Sequence, residues 1–174
     1  VVVCTISRGG ILQRGRHSTG DEAATSMSLD PAGRTVACVL QTGVLLLQVG
    51  SLPEVATLDG PSPLVELQSL DLTPASEANA DASTAAAKLA AGVSPSDLPP
   101  ELKPYKVHFS PDGRLLAVGM EDGGLLLFAR EEGGSLWSLR WKQKMHAKEL
   151  KDCAFTPDGS RLCTAAADGK CLSW

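Results

Sequence analysis

No uninterrupted apolar run in this chain approaches the roughly 20 residues that a membrane-crossing helix needs. The longest, such as Val44 to Leu47 and Leu125 to Phe128, have the length of strands, so no membrane contact is expected of this segment. An excess of positive charge is lacking too. The formal net charge is -4 with 21% charged residues, which gives no electrostatic case for nucleic acid or an acidic membrane surface as partner. Five cysteines (Cys4, Cys38, Cys153, Cys163, Cys171) form no Cys-x-x-Cys pair and have no His at metal-ligand spacing. Their odd number speaks against a disulfide framework, and the expectation is buried free thiols in a reducing compartment. Gly123-Gly124 and Gly133-Gly134 lack the strand-to-helix setting and spacing of phosphate-binding loops and read as hairpin turns. With no paired acid and base, no activated nucleophile and no metal cluster in view, neither an enzyme nor a cofactor is expected.

What is present is repetition. Ser-Leu-Asp-Pro-Ala-Gly-Arg-Thr-Val-Ala from Ser28, His-Phe-Ser-Pro-Asp-Gly-Arg-Leu-Leu-Ala from His108 and Ala-Phe-Thr-Pro-Asp-Gly-Ser-Arg-Leu-Cys from Ala154 share one plan. An apolar run meets a Pro-x-Gly turn, a second apolar run follows, and a further turn (Gln41-Thr42-Gly43, Glu121-Asp122-Gly123, Ala167-Asp168-Gly169) opens a third. Proline pre-sets φ, the Asp after it hydrogen-bonds its own backbone, and glycine accepts the positive φ of a tight reversal. Such a succession of short strands and turns predicts an all-β protein. Pro111 and Pro157 are 46 residues apart, close to the ~40–45 residues of one four-stranded propeller blade.

In this pattern the chain resembles WD-repeat β-propellers, and the fold expected is a partial propeller of four-stranded antiparallel blades, incomplete at both ends. Val-Val-Val at the start, in place of Met, and Trp174 inside an expected strand both read as cuts. The resemblance implies a hydrogen-bonded set in the last repeat, with His146 before strand A, Thr164 on strand B, Asp168 in the B–C turn and Trp174 on strand C. The Asp accepts from the imidazole, which meets the hydroxyl and the indole N–H, so the role is structural. A catalytic base at His146 is the competing reading, but no nucleophile motif lies near it. In the middle repeat Val118 and Phe128 replace the hydroxyl and the Trp.

The organisation expected is the end of one blade over 1–19, a second blade over 20–59, a low-complexity insertion over 60–103, a third blade over 104–145 and the start of a fourth over 146–174. The second blade's last strand falls at Glu54 to Leu58 or at Val65 to Leu72, two stretches the sequence does not separate. Within the insertion Glu77 to Ala91 is Ala-rich, but an isolated helix of that length is marginal in water, and a mobile linker is expected. Trp137, Arg140, Trp141, Lys142 and Lys144, on an outer strand and the loop after it, make a candidate partner surface. The alternative is that their rings and alkyl stems merely cover the blade edge.

The order of elements also resembles the prolactin regulatory element-binding protein family, guanine-nucleotide exchange factors of the endoplasmic reticulum that load the Sar-type GTPase at the start of COPII vesicle coating. The similarity rests on Gly20-Asp21-Glu22-Ala23-Ala24-Thr25-Ser26-Met27, the repeat from Ser28 to Val49, the polar insertion, and the close repeats from Val107 to Trp174 joined by His146-Ala147-Lys148-Glu149. It implies a protein partner, a Sar-type small GTPase, and a place on the cytosolic face of the endoplasmic-reticulum membrane through an anchor outside this segment; without the resemblance the expectation is cytoplasmic. No exchange residue is carried over, because that family's Gly-rich, cation-binding loop matches nothing here. The reading set beside it is a non-catalytic WD-repeat scaffold for protein complex assembly.

Overall fold

The computed structural model describes residues 2–7, 10–16, 18–19, 22–41, 43–49, 64–70, 72, 103–131, 134 and 136–174, with backbone alone for 2–7, 10–16 and 64–65. They form thirteen strands in four antiparallel sheets. The first sheet is a hairpin, β1 (Val2–Ser7) on β2 (Gly10–Arg16). The second has β3 (Ser26–Leu29), β4 (Thr35–Val39), β5 (Val44–Val49) and β6 (Leu64–Leu70) side by side in chain order. The third has β7 (Pro104–Phe109), β8 (Leu115–Met120), β9 (Gly124–Arg130) and β10 (Trp137–Lys144), and the fourth has β11 (Leu150–Phe155), β12 (Leu162–Ala166) and β13 (Cys171–Ser173).

Each Pro-x-Gly segment reverses the chain by the same hydrogen bonds. Gly33, Gly113 and Gly159 have φ of 69°, 70° and 70°, a conformation that a Cβ disfavours. Their N–H groups donate to the carbonyls of Asp30, Ser110 and Thr156, whose own N–H groups donate to Thr35, Leu115 and Arg161. The side chain that opens each turn is also used. Ser110 and Thr156 accept from the N–H of Leu115 (2.9 Å) and Arg161 (3.1 Å) and donate to Asp112 and Asp158, both at 2.5 Å. The first repeat has Ala32 in place of that second acid, and there the opening residue is itself an acid: the Asp30 carboxylate accepts from the N–H groups of Arg34 (2.6 Å) and Thr35 (2.9 Å). Two sequences thus satisfy one turn.

The second, third and fourth sheets stack face to face. A Cβ on Gly113 would lie 3.5 Å from Pro31 Cδ, and one on Gly159 would lie 3.7 Å from Pro111 Cδ, so successive turns nest in the same relation. Between the second and third sheets lies the largest apolar layer, with Ala37, Val39 and Leu46 from one side and Leu116, Val118 and Phe128 from the other. The opposite face of the third sheet, through Ala117 and Leu125, meets Leu150, Cys153 and Leu162 of the fourth. There Gly119 permits the approach, because a Cβ on it would fall 2.4 Å from Leu150 Cδ2. This double coverage explains the unbroken apolar run of β8, whereas on β12 the exposed Cys163 lies between buried Leu162 and Thr164.

The structure corrects several expectations. The second sheet's last strand is β6, at the second of the two stretches offered for it, Val65 to Leu72, so the sheet runs past the expected boundary at 59 into the 60–103 stretch, and Leu70 joins the layer against the third sheet. Residues 54–58 and 77–91 lie outside the described residues. The third sheet's outer strand runs on to Lys144 after a register shift between Leu139 and Trp141, so the whole basic and aromatic cluster, Lys142 and Lys144 included, stands on the strand and none of it in the loop expected after it. Cys38 and Cys153 are buried free thiols, but Cys163 and Cys171 are exposed, since they project from the outward face of the fourth sheet. Cys4 lies among the residues described by backbone alone.

Candidate functional site

The four residues of the last repeat meet at the junction of the third and fourth sheets. Met145 and His146 both donate their N–H to the carbonyl of Gly123, at 3.1 and 3.0 Å. Gly123 has φ 87°, and a Cβ there would sit 2.3 Å from the carbonyl oxygen of His146. The backbone that presents the imidazole is thereby held on a turn of the preceding sheet. The His146 side chain is fully buried. Its Nδ1–H donates to the Asp168 carboxylate at 3.2 Å, and its Nε2 accepts the Thr164 hydroxyl at 2.9 Å. The Trp174 indole N–H donates to the Thr164 oxygen at 3.3 Å. The Asp168 carboxylate can only accept, which places a proton on Nδ1; in the neutral imidazole the bare Nε2 is then the acceptor for the Thr164 hydroxyl.

Asp168 also accepts from the N–H groups of Ala147 (3.1 Å) and Lys170 (3.0 Å). Burial pushes its carboxyl up, but these donors and the His146 imidazole outweigh that and hold it below the ordinary carboxylate range. Trp174 lies just past β13 yet continues the ladder, exchanging N–H···O bonds with Leu162 at 2.9 and 3.1 Å. Every polar atom of the His146 and Thr164 side chains is spent inside this set, so neither presents a free group to a substrate. In the third sheet Val118 and Phe128 occupy the matching places and are buried in the apolar layer.

The basic and aromatic cluster divides. Trp137 is core, 4% exposed and packed on Phe109 with ring centroids 5.6 Å apart. Arg140, Trp141, Lys142, Gln143 and Lys144 are all exposed. The register shift causes the split: Trp137 pairs across from Arg130 on the face that packs on the second sheet, whereas Trp141 pairs with Leu127 on the opposite face. What sequence reasoning missed is Gln68. Its side-chain amide donates to the Trp137 carbonyl (2.9 Å) and accepts from the Trp137 N–H (2.8 Å), joining the outer strands of neighbouring sheets. No local pattern marks such a residue. A cleft of about 670 Å3 beside the Ser110 turn is lined by Asp112, Arg114, Arg130 and Glu131, whose two acids and two bases sum to no net charge.

Against this geometry the comparisons with known proteins are specific about the repeat. Residues 107–173 match the family model of the anaphase-promoting complex subunit 4 WD40 domain. That stretch runs from β7 through β13, which build the third and fourth sheets. It is similar to the chromatin assembly factor 1 subunit FAS2 homolog of Oryza sativa subsp. japonica, with 30% identity over 70 residues. It is also similar to protein HIR1 of Yarrowia lipolytica, 34% identical over 82 residues, and of Eremothecium gossypii, 31% identical over 79 residues. Each match covers 39% of this chain and between 8% and 14% of the relative, so these relatives are much longer than the segment they share with the chain. The three- and four-stranded antiparallel sheets have the architecture of WD40 blades, and the fold is a partial propeller.

Proposed function

We propose that the chain belongs to a non-catalytic WD40 scaffold that assembles a protein complex. One observation carries this: the two relations that name an assembly, the anaphase-promoting complex and chromatin assembly factor 1, are both to proteins described as its subunits. The geometry agrees with it, because the His146–Thr164–Asp168–Trp174 set is consumed in holding two blades together, as expected of a structural network. A propeller by itself serves many binding roles, so the assignment rests on its surfaces and not on the fold.

Exchange on a Sar-type GTPase rests on the resemblance in element order, and the relatives reported above carry other descriptions. The place on the endoplasmic-reticulum membrane goes with that reading and falls with it. The deciding experiment uses the purified full-length parent protein. Under the scaffold reading it leaves the rate of nucleotide release from a Sar-type GTPase unchanged and elutes from cells in a complex of fixed stoichiometry with another protein. Faster nucleotide release would overturn the scaffold reading, because an exchange factor must bind the empty GTPase more tightly than the loaded one.

A further inference from the structure

Building on the scaffold reading, we propose that the outer edge of β10 from Arg140 to Lys144 is a docking site for an extended acidic segment of a partner protein, which adds to the third sheet as a further strand. Among the described residues β10 is the terminal strand of its sheet, in the order β10-β9-β8-β7. The start of this edge already holds a strand-like contact, since the Gln68 amide takes both the N–H and the C=O that Trp137 turns away from β9. From Arg140 to Lys144 every residue is exposed, Trp141 the one large hydrophobic among them at 37%. An open edge of this kind is a template for pairing.

Charge selects the occupant. Arg140, Lys142 and Lys144 place three cations within five positions of a chain whose net charge is -4. Among the described residues the ion pairs are Lys106 with Asp152, Lys151 with Glu149, and His146 with Asp168, so none of the three cations on this edge is paired there. Lys142 and Lys144 pair with Leu126 and Gly124 and share one face, while Trp141 and Gln143 pair with Leu127 and Leu125 on the other. The complementary strand has acids at alternate positions to meet the lysines and an apolar residue between them to cover Trp141. A second copy of β10 would set lysine against lysine. Nucleic acid phosphates would answer the charge but leave the edge amides unpaired, and the net negative charge of the chain opposes their approach.

The test is fluorescence anisotropy on the full chain with a labelled peptide of about eight residues, ordinary strand length, alternating glutamate and valine. Two N-methylated versions block the amides of one peptide edge or the other. The proposal expects binding that weakens with salt. N-methylation of one edge should abolish it while the other edge tolerates the change, and Lys142→Glu with Lys144→Glu should weaken it by roughly tenfold or more. These substitutions alter exposed side chains, and N-methylation leaves the protein untouched. Absence of binding, indifference to N-methylation of both edges, indifference to charge reversal, or tighter binding to single-stranded DNA would each overturn the proposal. None of those results bears on nucleotide release or on complex stoichiometry, so the scaffold reading stands or falls separately.

Discussion

Thr164→Val tests the energetic role of the buried set. Valine is close in shape to threonine, and the third sheet already carries Val118 at the matching place, so packing is preserved. What is lost is the hydroxyl that His146 Nε2 accepts at 2.9 Å and that receives the Trp174 indole N–H. Trp174 is 48% exposed and its N–H turns to water, but the His146 side chain is 0% exposed and Nε2 has no such recourse. Leaving one buried polar atom unpaired costs about 1–3 kcal/mol. For a chain of this size the expected fall in Tm is about 2–12 °C. His146→Leu should be costly as well, because it strands the hydroxyl. The double variant removes both partners of the His146–Thr164 bond and should cost less than the sum of the singles by about 0.5 kcal/mol or more. Urea denaturation of the full chain followed by circular dichroism, with the slope unchanged, reads all three. A Thr164→Val midpoint equal to the parent's, with no coupling to His146→Leu, would refute this energetic account.

Gly119→Ala places a methyl against Leu150 and should destabilise the chain by about 1–3 kcal/mol, with partial recovery when Leu150→Ala is added; the urea midpoint decides it. Asp30→Ala leaves the buried Thr35 N–H without its side-chain acceptor and should cost about 1–2 kcal/mol, whereas Asp30→Ser combined with Ala32→Asp installs the pattern of the other two turns and should regain most of the loss. Asp158 is held down to about 2 by the Thr156 hydroxyl and by the N–H and hydroxyl of Ser160. Its folded value lies below the ordinary aspartate value of about 3.9, so its contribution is full above that value and lost as pH falls towards 2; Asp158→Asn should flatten the acid limb of a stability-against-pH curve. Burial pushes the Cys153 thiol up to about 12, and mass mapping after a brief thiol-reagent pulse at pH 8 should find Cys163 and Cys171 modified and Cys153 intact.

The turns were legible because proline and glycine fix backbone dihedrals locally, and the stacking followed from their repetition. The polar set of the last repeat could be located residue by residue through the resemblance, since each member belongs to a fixed place in the repeat. Less legible were features decided between sheets. Glu54 to Leu58 and Val65 to Leu72 have the same strand-like character, and only packing of Leu70 against the third sheet separates them. Alternation places Trp137 and Trp141 on one face; the register shift between Leu139 and Trp141 breaks that parity and sends one ring to the core and the other to the surface. Lysines at 142 and 144 look like loop because strand propensity at an edge depends on context. Cys163 resembles Cys153 in its surroundings along the chain, and its exposure depends on which face of β12 is covered.

Stacking of consecutive blades is measured most directly by nuclear Overhauser contacts between the Gly119 Hα protons and the Leu150 methyls, which lie on different sheets. The account predicts a strong cross-peak there, accompanied by contacts from Gly113 to Pro31 and from Gly159 to Pro111. Intact cross-strand contacts within each sheet with none of these three between sheets would contradict it.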